Sequence, residues 1–363
     1  MFPLFKVVGL EKKFFTSLSE VENYSYGEKC VLFETKLKNF FNVKEVLTTN
    51  SYSSAWVTLL DSLQLSSEDE IIASPMACLA STQPLIRTAA RLRWCDIDKD
   101  TGLMSADYLE EVINENTKLV VVNLFCGFVP DLKRIFEISK MHNAIVILDL
   151  IEGLGSKIDS EYVGSQYCDA ALVSTEPVRV LNSNQGGAIF LNNPNLIQKA
   201  VLARDYGIDR SIFRKTNGEI NEKLDISLRA LGQKQNEISA LFGLASLASF
   251  EVSCAELVKR ARLWDQFVSK TNLNVQKLKI VPGTEPNYWV YGVLVDDTEI
   301  AMEWFISKGF QSSSVHIRND IYSVFKEART DLPGVDSFSK RFLALPTGSW
   351  VESLAIQALS LID

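Results

Sequence analysis

Residues 118–125 read Lys-Leu-Val-Val-Val-Asn-Leu-Phe, and residues 144–150 read Ala-Ile-Val-Ile-Leu-Asp-Leu. Each run is apolar at successive positions, so a strand built from it is buried on both faces. That is the pattern of a parallel sheet covered by helices. Between the runs, residues 131–142 place apolar side chains at helical spacing. Strand, helix and parallel strand make one crossover unit, and the unit is repeated on either side. Upstream, the spacing predicts strands over 45–49, 70–73 and 92–97, and helices over 54–63, 79–90 and 106–114. Downstream, strands are expected at 170–174 and 187–191. The first part of the chain reads as an α/β fold, a doubly wound and mostly parallel sheet.

After about residue 235 the alternation stops. A long helical stretch is expected over 237–270, then strands at 278–281 and 288–295 and helices over 298–308 and 351–361. This is a smaller α+β unit. The expected division is 1–235, a large domain with an N-terminal arm, and 236–363, a small one. No repeat or low-complexity linker separates them.

Composition narrows the function classes. The 363 residues carry 37 Lys plus Arg against 45 Asp plus Glu, a formal charge of −8. Such a balance repels a phosphate backbone, which argues against general nucleic-acid binding but not against one phosphorylated small molecule. Six cysteines stand far apart, at 30, 78, 95, 126, 168 and 254, with no Cys-x-x-Cys pair. A cysteine zinc site is not expected, and a reducing, cytoplasmic setting is. Only His142 and His316 supply imidazoles. The opening residues lack the long apolar centre of a signal peptide, and no apolar run reaches about 18 residues, so no membrane span is expected.

In an open α/β sheet, ligands bind beyond the carboxyl ends of the strands. Thr48 to Ser54 follows the first strand and opens a helix. Hydroxyls and free N–H groups there suit a phosphate, and they equally suit an ordinary helix cap. Asp149 closes the 144–150 strand, where a carboxylate needs a cation or donors. Glu152 follows three residues later. Ser174 ends the next strand, and a polar loop from Thr175 returns to the sheet at Gly186-Gly187. No G-x-G-x-x-G, Walker A, G-x-S-x-G or H-E-x-x-H pattern occurs.

Seven segments, taken in order, resemble the DegT/DnrJ/EryC1/StrS family of nucleotide-sugar aminotransferases. Tyr26-Gly27 with Phe33-Glu34 resembles the family's opening motif. Asn50-Ser51-Tyr52-Ser53-Ser54-Ala55 stands where the family has its Ser-Gly-Thr-Ala-Ala phosphate turn. Residues 90–98 match the family's GAKPVFVDID stretch, and Leu148-Asp149-Leu150-Ile151-Glu152-Gly153 matches EDAAQA. Arg204-Asp205-Tyr206-Gly207 resembles RNHG, residues 237–247 resemble ELQAAIGLAQL, and Leu343-Ala344-Leu345-Pro346 matches the late LSLP signature. The resemblance covers nearly the whole chain. It implies a fold type I transferase that uses pyridoxal 5′-phosphate (PLP), a site built at a dimer interface and a nucleotide-linked sugar as substrate. It also implies cofactor contacts from Asp149, Ser174, Ser53 and Ser54, with Leu79 at the position of the stacking aromatic.

The departures from the family pattern bear on chemistry. Counting back from Gly186-Gly187, the family's Schiff-base lysine corresponds to Arg179, and no lysine occurs between Lys157 and Lys199. A guanidinium stays protonated and cannot take the lysine's part. A sugar-dehydrating relative has histidine there, and neither His142 nor His316 occupies the position. Tyr52 replaces the small glycine of the phosphate turn and is expected to crowd the phosphate. Glu152 stands where the family usually has Gln or His.

Three readings stay open at this stage. One is a PLP or PMP (pyridoxamine phosphate) aminotransferase acting on a nucleotide-linked ketosugar. A second is a pseudoenzyme that binds a nucleotide sugar, as a homodimer or as a heterodimer with an active relative, with Arg179 and Asp149 paired across the vacated cofactor space. No covalent cofactor is expected on this reading, although PLP or PMP could bind non-covalently. A third is a different, non-PLP enzyme using Arg179, Glu152 and Asp149, with His316 against the sugar. Arg204 and Arg210 lie either near the site's opening or on a solvated surface. His142 is read as a helix C-terminal partner, and Tyr288, Trp289 and Tyr291 as strand packing.

Overall fold

The computed structural model describes residues 1–6, 24–328 and 330–359. The stretch of the N-terminal arm over 7–23 and the last residues of the predicted closing helix lie outside the described residues.

Seven strands form the main sheet: β1 (Glu45–Thr49), β2 (Glu70–Ala73), β3 (Arg91–Trp94), β4 (Thr117–Asn123), β5 (Ile145–Asp149), β8 (Ala170–Ser174) and β9 (Gly187–Leu191). Their order is β1-β9-β8-β5-β4-β2-β3. All neighbours from β3 to β8 pair in parallel, and β9 runs antiparallel to both β8 and β1. Every residue of β8 and β9, and nearly all of β4 and β5, is buried, as the continuous apolar runs require. The sheet's two apolar faces are covered by separate clusters, one around Trp56, Ile147 and Phe125 and the other around Phe33, Val146 and Phe190.

Helices α1 (Glu28–Phe40), α2 (Tyr52–Leu63), α3 (Leu79–Thr82), α4 (Ala106–Val112), α5 (Leu132–Met141) and α6 (Pro194–Ala203) connect and flank these strands. A short hairpin, β6 (Lys157–Ile158) and β7 (Glu161–Tyr162), pairs with β11 (Thr284–Glu285). The remaining strands, β10 (Val275–Lys277), β12 (Val290–Val295) and β13 (Phe342–Pro346), form an antiparallel sheet in the order β10-β12-β13. Around it lie α7 (Glu237–Ala248), α8 (Phe250–Val268), α9 (Thr298–Ser307), α10 (Pro333–Ser339) and α11 (Ser353–Leu359). Trp264, Phe267, Phe305 and Tyr291 fill the core there.

Some predicted elements change shape. The helix expected over 79–90 stops at Thr82. Pro84, which has no N–H to continue the ladder, leads instead into a 3₁₀ turn over Leu85–Arg87. The stretch over 237–270 is two helices, α7 and α8, bent by 57° at Ser249. The strand expected at 278–281 is not formed, and Val275–Lys277 takes the edge of the small sheet. Among the described residues, no single helix is long and apolar enough to cross a membrane.

Thr49, Asp149 and Ser174 end β1, β5 and β8, and all three strands run the same way. Their carboxyl ends therefore open on one edge of the sheet. The opening of β9 is tight there. A Cβ at Gly187 would stand 2.8 Å from Ser51 O and 2.9 Å from the Cα of Tyr52.

Candidate active site

The turn after β1 delivers α2 to the sheet edge. Ser51 caps that helix, its Oγ accepting from the Ser54 amide at 3.0 Å. Ser54 Oγ donates to Asn50 Oδ1 at 2.5 Å. Ser53 is exposed on the first turn. The expected phosphate turn is thus a well-formed helix start, with its hydroxyls partly engaged in capping.

Tyr52 points inward rather than toward that turn's surface. It is 2% exposed, and its phenol donates to Asp149 Oδ1 at 2.5 Å. Ser81 Oγ of α3 lies 3.0 Å from the same phenolic oxygen. Asp149 is itself 1% exposed, and its Oδ1 also accepts from the Ile151 amide at 3.0 Å. Oδ2 is buried with no hydrogen-bond partner among the described residues. Burial pushes the Asp149 carboxyl above its ordinary value and the Tyr52 phenol well above its own.

The loop after Asp149 places Glu152 in a buried position on the other side of the site. Its Oε2 accepts from the Cys126 amide at 2.7 Å, and its Oε1 contacts His316 Nε2. Burial raises the Glu152 carboxyl, but His316 and Arg179 outweigh it and hold the group below the ordinary value. Asn287 ties this loop to the second half of the chain. Its amide donates to the Glu152 carbonyl at 2.6 Å and to the Leu154 carbonyl at 2.9 Å.

Arg179 lies in the loop between β8 and β9. The guanidinium carbon stands 4.6 Å over the Trp289 ring, a cation–π arrangement. The Trp289 indole in turn donates to the Val178 carbonyl at 3.3 Å and stacks on Phe5 at 4.7 Å. Nε and Nη1 of Arg179 are buried without a hydrogen-bond partner among the described residues. Glu152, Ser174, Arg179, Asn287 and Trp289 border a cavity of only about 10 Å³. That is the room of about one water, against several hundred Å³ for an ordinary ligand pocket. A roomier cavity of about 880 Å³ opens along β3 and is lined by none of these residues.

The expected Arg179–Asp149 pair is not formed: Asp149 Oδ1 accepts from Tyr52, and the Arg179 guanidinium lies over Trp289 with Glu152 in its field. Asp149, Ser174, Glu152, Arg179 and His316 do gather at the sheet edge. Leu79 sits near them at the start of α3, partly exposed. Arg204 is not at an opening. It is 5% exposed, ion-paired with Glu34 and 4.9 Å from the Tyr26 ring, so these family-like residues form one buried cluster. Arg210 pairs with Asp205 nearby. His142 follows α5 as its C-cap residue, as read from the sequence. Tyr291 is strand packing, whereas Trp289 is part of the site. Sequence reading missed Trp289 and Asn287 there, since an aromatic run beside a strand carries no mark of a distant partner.

The sequence profile of the DegT/DnrJ/EryC1/StrS aminotransferase family matches residues 9–359. The chain belongs to that family. A UDP-4-amino-4,6-dideoxy-N-acetyl-beta-L-altrosamine transaminase of Helicobacter pylori is 27% identical over 65% of this chain and 61% of its own length. The chain thus spans about three fifths of that relative. The sugar aminotransferase CalS13 from Micromonospora echinospora superposes with a TM-score of 0.90 at 23% identity, covering 99% of this chain and 100% of that one. A putative sugar aminotransferase from Streptococcus pneumoniae, solved in a PMP form, gives 0.84 at 19% identity over 98% of each chain. The fold is therefore that of the PLP fold type I sugar aminotransferases.

Family membership implies a PLP or PMP site, and these residues do not fit it. At the positions the resemblance assigns to the cofactor contacts, Asp149 accepts from the Tyr52 phenol, Arg179 packs on Trp289, and Glu152 contacts His316. The 53–54 segment forms the capped start of α2.

Proposed function

We propose that this chain does not carry out lysine-dependent transamination and acts as a binding member of its family in nucleotide-sugar or surface-polysaccharide biosynthesis. The carrying observation is Arg179. Its guanidinium is held against Trp289 and cannot lose its proton to become a nucleophile, and the resemblance aligns it with the family lysine. Asp149 and Glu152 keep structural partners rather than standing ready for a ring.

On this reading the chain works in the cytoplasm, with 1–235 as the large domain and 236–363 as the small one. It binds a nucleotide-linked sugar either as a homodimer or beside an active family member whose site it helps to complete. The test supplies the purified chain with PLP, an amino donor and a nucleotide-linked ketosugar, and reads amino-sugar by mass spectrometry. No product is expected. Steady formation of amino-sugar overturns the reading.

The Glu152–His316 contact favours a second reading. The buried Glu152 carboxylate, held below its ordinary value, contacts Nε2 of the partly exposed His316 and orients its ring, a pairing used in acid–base chemistry. Here the enzyme would transform the nucleotide-linked sugar without PLP, with His316 moving the proton and Arg179 engaging an anionic group. Consumption of the nucleotide sugar without amino donor, abolished in His316→Gln, distinguishes it.

A further inference from the structure

We infer that Tyr52 is a built-in occupant of the cofactor place and closes it to both PLP and PMP. The inference deepens the non-transaminating reading and takes from it the family placement of the ring between the 53–54 helix start and Asp149.

The phenol lies along that line. Its backbone is at the first residue of α2, beside the hydroxyls that would meet the phosphate, and its hydroxyl reaches the carboxylate that would meet the ring nitrogen. One aromatic ring therefore spans the gap that another aromatic ring spans in the family. Trp56 meets it edge-on with centroids 6.5 Å apart, and Ser81 Oγ lies 3.0 Å from the hydroxyl. The turn cannot retreat to make room, because the opening of β9 at Gly187 already lies against Ser51 and the Tyr52 backbone. Two rings cannot share one close-packed volume.

The inference is independent of Arg179 in one respect. PMP needs no lysine to bind, so a chain lacking only the lysine would still take it up. The test is calorimetric titration of the intact chain with PMP, then of Arg179→Lys, Tyr52→Gly and the double variant with PMP and PLP. No saturable PMP binding is expected for the intact chain or for Arg179→Lys. A gain of at least about 100-fold in PMP affinity is expected once Tyr52 is glycine. Borohydride-stable attachment of PLP is expected only in the double variant. Saturable PMP binding by the intact chain overturns the inference while leaving the absence of a Schiff base untouched, and it does so whether or not the glycine variants fold. Folded Tyr52→Gly protein, verified by circular dichroism, that still takes up no PMP also overturns it.

Discussion

Tyr52 and Asp149 lie 97 residues apart in sequence and share a 2.5 Å hydrogen bond in which the phenol donates. The bond joins the start of α2 to the end of β5 at the edge where an α/β sheet normally receives its ligand.

Replacing Tyr52 by Phe keeps the ring and removes the donor. Asp149 is then left in a buried site with one fewer bond, a loss of about 1–3 kcal/mol. The sign of its pH dependence follows from burial, which raises the carboxyl above its ordinary 3.8. A raised carboxyl favours the native state in acid and counts against it as pH rises through the folded value. Tyr52→Phe raises it further, so urea midpoints of the two proteins should diverge toward neutral pH and converge in acid. A gap that is absent or constant with pH contradicts this.

His316→Gln removes the partner of Glu152 and leaves Arg179 as the nearest compensation. A broken buried pair costs up to about 3 kcal/mol in a setting with some solvent access. Glu152 has a lowered carboxyl, so its contribution is complete above the ordinary 4.5 and is lost as pH falls through the folded value. The stability gap between the intact chain and the variant should therefore shrink below that range. Chemical denaturation over a pH series reads it.

Arg179→Ala deletes a cation over Trp289 and the packing of its stem. A loss of about 1–2 kcal/mol is expected. A quenching change in Trp289 fluorescence should accompany it, because the indole loses its cover. Unchanged stability and emission would mean that Arg179 is not held in the observed place.

All six cysteines are free, and all but Cys78 are buried. Burial pushes the Cys78 thiol up to about 11 and those of Cys30, Cys168 and Cys254 to about 12. At neutral pH the Cys78 thiol therefore stays protonated and poorly nucleophilic. Native protein should react with iodoacetamide over hours at most at Cys78, and unfolded protein at all six. Rapid native labelling of several sites contradicts the burial.

Much of this was legible in the residues. The 118–125 and 144–150 runs fix a buried parallel pair because only strands covered on both faces tolerate them. Asp149, Glu152 and Ser174 follow from their positions at or just beyond strand ends, whereas Arg179 is singled out only by the resemblance to the family. The direction of Tyr52 was not legible, since its partner is set by the sheet order and not by any local spacing. The same holds for Trp289, which reads as one more strand aromatic until the loop carrying Arg179 is laid over it. For Arg204 the sequence left open a place near the site's opening or on a solvated surface, because a buried arginine and an exposed one look alike in sequence. Its counter-ion, Glu34, lies 170 residues away.

The most direct test of the central claim is borohydride reduction of the purified chain in excess PLP, followed by intact-mass and peptide mapping. The account predicts no single stoichiometric adduct on any one lysine, only scattered substoichiometric labelling, and no Schiff-base absorption band dispersed by an amino donor. A single stoichiometric adduct on one lysine, with a band that an amino donor removes, would contradict it.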